Sequence, residues 1–122
     1  MEIRKDQLDA MARSQEEDFR RRLKETLLEE YPDDCEDLGE EKLGVVIDQG
    51  ISRARSYGIR SEEDIGLYFD IMFNLAFNFD TNSKYPWAGQ VLQNSSLSAE
   101  DKLREISSLA QQALDHEDDE KD

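Results

Sequence analysis

Cysteine and histidine are the side chains best suited to nucleophilic or zinc chemistry. The chain has one of each, Cys35 and His116, set far apart in sequence. Cys35 sits among Asp33, Asp34, Glu36 and Asp37, whose negative field disfavours the thiolate. His116 lies in an acid-rich tail, where no fold holds it within hydrogen-bond reach of a nucleophile. Asp80-x-Asn82-x-Lys84 opens like a calcium loop and then fails. Lys84 brings a cation to the third ligand position, Tyr85 stands where glycine is required, and Val91 stands where the bidentate glutamate belongs. Paired carboxylates could act as acid and base, but 30 acids in 122 residues produce such pairs by chance. Asp70 stands out because its surroundings are apolar, and a structural pairing with Arg53, Arg55 or Arg60, or exposure on a polar stripe, accounts for it. The six glycines do not cluster into a phosphate loop. These residues therefore point to no catalytic set, no metal and no cofactor, and the chain is expected not to be an enzyme.

Positioning falls to helices. Leu8, Met11, Phe19, Leu23, Leu27 and Tyr31 share one face of a segment from about Asp6, which can cap it, to Tyr31. Ser14 with Glu17 allows a restart near Gln15, and Pro32 is read as the stop. Residues 33–41, with six acids and no base, read as an acidic loop. A second helix from about Glu40 to Tyr57 carries an apolar stripe containing Gly50, which predicts close approach of another helix there; Gly58 suits its C-terminal cap. Ser61 and Asp64 open a third helix predicted to reach Phe79. Eleven of the fifteen residues from Ile65 to Phe79 are apolar, and Asp70, Asn74 and Asn78 make its polar stripe, which places this helix at the centre of a bundle. Pro86-Trp87-Ala88 starts a short helix to about Gln93, and Ser98 with Asp101 caps the last one. No stretch alternates as a strand does. The expected fold is all-α, a single domain over residues 1–114 of four long helices and one short one, followed by a disordered acidic tail, 115–122.

The formal net charge of −15 argues against nucleic acid and against an anionic membrane as partner. Arg20-Arg21-Arg22 does not reverse this, because Glu16, Glu17 and Asp18 stand four residues earlier, in the favourable orientation for helix ion pairs. The charged N-terminus lacks a signal peptide's apolar run, and no segment is apolar enough to span a bilayer, so a cytoplasmic location is expected.

Several motifs occur together: Tyr31-Pro32, Gly50-Ile51-x-Arg53-Ala54-Arg55, Tyr57-Gly58-Ile59, the run Tyr68 to Met72, Phe79-Asp80 and Pro86-Trp87-Ala88. In this order, over about residues 27–92, the chain resembles small acidic proteins encoded beside type VI secretion spike, PAAR-type and Rhs-type effector genes in Gram-negative bacteria. The resemblance implies a bacterial protein that serves a secreted effector as adaptor, chaperone or immunity protein, and it carries over no active-site residue.

The residues left to meet a protein partner are the acids Asp33, Asp34, Glu36, Asp37, Glu40 and Glu41, which speed encounter with a basic surface, and the aromatics Phe73, Phe77, Tyr85 and Trp87, which could anchor it. The leading expectation is an adaptor or chaperone for a type VI effector or spike component. An immunity protein that neutralises a cognate toxin is the alternative, with acidic residues mimicking phosphate. A homodimeric structural or regulatory protein, paired through the third helix, is the alternative of another class.

Overall fold

The computed structural model describes the backbone of residues 5–120 and the side-chain surroundings of residues 13–115. Leu8, Met11, the proposed cap Asp6 and His116 therefore lie outside the described side chains. The chain is all-α, with five helices in the order α1 (Lys5–Glu30), α2 (Pro32–Ser56), α3 (Glu62–Asn74), α4 (Pro86–Leu92) and α5 (Ala99–Glu120). It folds as two compact units, the first ending at Ile47 and the second beginning at Asp48.

In the first unit, α1 continues without a break past Gln15, so the restart there does not occur. Phe19, Leu23 and Leu27, spaced by four, are buried. Ion pairs line the exposed side: Arg20 with Glu16 at 3.4 Å, and Arg22 with Asp18 at 2.8 Å. Arg21 also bonds Asp18, three residues back, instead of Glu17. The hydrogen bond from Arg22 holds the Asp18 carboxyl below the usual range.

The expected acidic loop is helical. Only Tyr31 separates α1 from α2, and Pro32 is the first residue of α2, the position where a missing N–H costs nothing. Asp33 and Asp34 occupy the first turn, where the helix dipole favours anions. Gly39 then breaks the helix direction with φ 81° and ψ 162°, a conformation open to glycine and strained for other residues. Residues 32–38 thus form a short arm that meets residues 40–56 at a kink.

In the second unit, α2 ends in a two-bond cap. Ile59 donates its N–H to the Ala54 carbonyl and Gly58 donates to Arg55, the Schellman pattern, with Ile59 fully buried. α3 and α4 both pack against α5. Phe69 of α3 rests directly on Gly50 of α2, as the glycine on that stripe predicts. Ser61 caps α3 by accepting the Asp64 N–H at 3.1 Å, and Ser98 caps α5 by accepting from Asp101 at 3.1 Å.

α3 stops at Asn74, five residues short of the predicted end. At this end Asn74 places its side-chain amide on the Asp70 carbonyl at 2.7 Å, and the Leu75 N–H makes the last helical bond, to Ile71. Successive turns follow, with Phe79 N–H on Ala76, Thr81 on Asn78 and Tyr85 on Asn82. The break changes the core. In a continuous helix Tyr68 and Phe79 would stand roughly 16 Å apart, whereas here their rings meet at 5.1 Å.

At the other end, α5 runs to Glu120, into the segment 115–122 read from sequence as an acidic tail; 121–122 lie outside the described residues. No described helix is long and apolar enough to cross a membrane.

Candidate functional site

The α1–α2 corner of the first unit gathers the six expected acidic residues. Asp33, Asp34, Glu36, Asp37, Glu40 and Glu41 are all exposed. Glu40 accepts an ion pair from Lys24 of α1 at 3.2 Å. Among the described residues no cation pairs with the other five. Acids crowded on one arm repel one another, by about 0.2–0.5 kcal/mol for each pair at helical spacing. A cation from outside would relieve that repulsion.

Two of these acids, Glu36 and Glu40, border an open cleft of about 340 Å³. Leu28, Pro32, Cys35 and Leu43 supply its apolar lining, while Glu36, Glu40 and Lys24 supply its polar rim. Leu28 is 45% exposed. Cys35 is buried and donates its thiol to the Leu27 carbonyl at 3.5 Å. Burial first and Asp34 second push its thiol pKa up, which disfavours the thiolate.

The four aromatics do not form one patch. Phe73 is half-buried and meets Phe77 edge-on at 5.0 Å, with Phe77 exposed. Tyr85 is buried, which corrects its expected place as an exposed anchor. Its ring takes the half-buried Trp87 on one side at 5.8 Å and lies under the Lys84 ammonium at 5.6 Å. Leu67, also exposed, borders a cleft of about 270 Å³ between α3 and α5. Asp70, half-buried, lines the same cleft.

The acid that the fold buries is Asp80, not Asp70. Its side chain is 1% exposed and is held by Arg53 Nη1 at 3.0 Å and by the Tyr57 hydroxyl at 2.8 Å. Tyr57 directly follows the last residue of α2 and still bonds its N–H to the Arg53 carbonyl, four residues back, so the C-terminal end of α2 delivers both donors. The first residue of the calcium-like run is therefore already engaged by a guanidinium and a phenol. Among the described residues no three His, Cys, Asp or Glu side chains gather as a metal would need. Lys102 adds a second buried charge, donating to the Tyr57 carbonyl at 2.9 Å where α2 ends, and a cation suits that end of the dipole. The Tyr68 hydroxyl is buried without a hydrogen-bond partner, and burial pushes its pKa up strongly. The chemistry of this cluster is retention. It ties residues 75–85 to α2 and presents no accessible nucleophile or base.

Tyr57 gives the cluster a measurable signature. Burial first, then the hydrogen bond to Asp80 and its charge, push its pKa up to about 12. A free phenol titrates near about 10. Because the folded value is the higher one, the stabilisation is complete below about pH 10 and is lost as pH climbs towards about 12. The difference between absorbance titrations of the native chain and Tyr57→Phe should isolate a phenol ionising near 12. A difference centred near about 10 would show that the Asp80 contact does not form in solution.

Neither a protein family, nor a curated protein, nor a solved structure matches the chain.

Proposed function

We propose that this chain is a non-catalytic binding protein that engages a basic surface of a type VI secretion effector or spike component as its adaptor or chaperone. The observation that carries the reading is the α1–α2 corner, where five exposed acids have no cationic partner among the described residues and one of them, Glu36, borders an apolar cleft together with Glu40. Such a corner attracts a cationic protein over distance and offers it apolar area on arrival. The exposed Phe77, stacked edge-on against the half-buried Phe73, supplies a second apolar contact of the kind a chaperone uses.

Tagged protein captured from its native cells at moderate salt, with the bound chain identified, tests the reading. A secreted effector or spike protein should be recovered, and converting Asp33, Asp34, Glu36, Asp37, Glu40 and Glu41 to Asn or Gln should release it. Recovery of the chain alone, or as a dimer, would remove the effector reading and favour the homodimer.

The immunity reading draws on the same corner, because acids at successive turns of one arm can imitate a phosphate backbone facing a nuclease. Co-expression separates the two jobs. An immunity protein restores growth to cells making the captured partner, and the neutralised variant does not. An adaptor instead raises the partner's solubility or export without affecting growth.

A further inference from the structure

We infer that the cleft at the α1–α2 corner seats one apolar side chain of a basic amphipathic segment, whose flanking Lys and Arg side chains lie on the acids of residues 33–41. This rests on the binding reading above and names the part of the partner that the corner takes.

Three observations converge on that occupant. Leu28, Pro32, Cys35 and Leu43 make the lining apolar, and Leu28 is already half in water, so covering it gains free energy. At about 340 Å³ and open to solvent, the cleft has room for an apolar side chain of a docked segment. The charge is one-sided: from Glu25 to Glu41 the sequence holds nine acids and no base. The one cation on the rim, Lys24, is held by Glu40.

The same charges dismiss the other occupants. Nucleic acid and anionic lipid are repelled. A second copy would bring the same acidic corner against itself in a two-fold pairing, like charge on like.

The test is fluorescence anisotropy with the full chain and a labelled peptide carrying Lys and Arg on one helical face and Leu on the other. Saturable binding that weakens with added salt is expected. Leu28→Asp is the decisive variant, because it adds a negative charge and removes the apolar seat at once. Seating in the cleft predicts at least a tenfold loss of affinity. Attraction by charge alone predicts tighter binding, and unchanged or tighter binding would overturn the inference. A peptide with its Leu residues changed to Ser, offered to the unaltered chain, asks the same question independently of whether the variant folds. Equal affinity for that peptide would also overturn the inference, and a loss supports it. Failure of the two proposals can be told apart. If a secreted partner is captured equally by the native chain and by Leu28→Asp, the cleft inference falls and the binding reading stands. If the peptide seats as stated but cells yield no secreted partner, the cleft stands and the effector reading falls.

Discussion

Arg53→Ala is expected to destabilise the protein by roughly 2–3 kcal/mol in urea unfolding followed by circular dichroism. The loss comes from what remains behind. Asp80 stays 1% exposed, and its carboxylate keeps only the Tyr57 hydroxyl after the guanidinium at 3.0 Å is gone. Removing one partner of a fully buried pair costs about 3–5 kcal/mol. Arg53 is itself 44% exposed, so water already screens part of the attraction, and the estimate falls below that range. Asp80→Asn removes the charge but keeps the shape, and its amide turns a donor towards Arg53 or Tyr57, at a cost of about 1–2 kcal/mol. The double variant should then lose at least about 1 kcal/mol less than the two single losses added together, because no bare charge remains. Strict additivity would show that Arg53 and Asp80 do not interact in solution.

That pair also marks where sequence reasoning reaches its end. Arg53 and Tyr57 stand four apart at the end of α2, and their spacing is legible. Asp80 lies in a run of turns, 27 positions after Arg53, and no periodicity joins it to them. Its burial follows from the end of α3 at Asn74, which hydrophobic pattern alone does not reveal: residues 75–79 are as apolar as the helix before them. At that end Asn74 places its side-chain amide on the Asp70 carbonyl, but Thr26 makes the same kind of bond to Arg22 inside an unbroken α1, so no single local contact marks the stop. Caps behave differently, because their chemistry is local. Ser61, Ser98, Gly58 and Pro86 all sit where their residue types place them.

The acidic corner was half legible. Composition identifies the acids, and all six are exposed. It also suggests a loop, since like charges in succession oppose a helix. Pro32 at the first helical position, two acids at the dipole's positive end and the buried Cys35 outweigh that repulsion for the short arm, and Gly39 ends it. The cleft follows from that geometry. Leu28 and Leu43 are distant in sequence, and only the fold brings them to line one concavity with Cys35. Tyr85 shows the opposite case. Its type suits an interface, yet it is spent inside the second unit against Trp87.

Gly50→Ala is expected to cost about 1–2 kcal/mol, although alanine is the better helix former by about 1 kcal/mol. A Cβ at this position would run into the Phe69 ring at Cζ, Cε1 and Cε2. Phe69 is fully buried, so its ring has no solvent to retreat into, and the added methyl must push the α2 and α3 backbones apart or force the ring off its rotamer. Phe69→Leu tests the cause. Alone it opens a cavity and destabilises, as core truncations do. Combined with Gly50→Ala, the shorter side chain gives the methyl room, and the methyl fills part of the cavity. The double variant should therefore unfold at a urea midpoint no lower than Phe69→Leu alone. A midpoint lower by the full Gly50→Ala loss would mean that the glycine serves something other than this contact. The same logic distinguishes Gly50 from Gly39, where a Cβ meets nothing within 4 Å and the cost of substitution lies in the backbone conformation alone. No shortening of a neighbour should relieve that cost, so a rescue at Gly50 and none at Gly39 would separate close packing from backbone geometry as the reason each glycine is there.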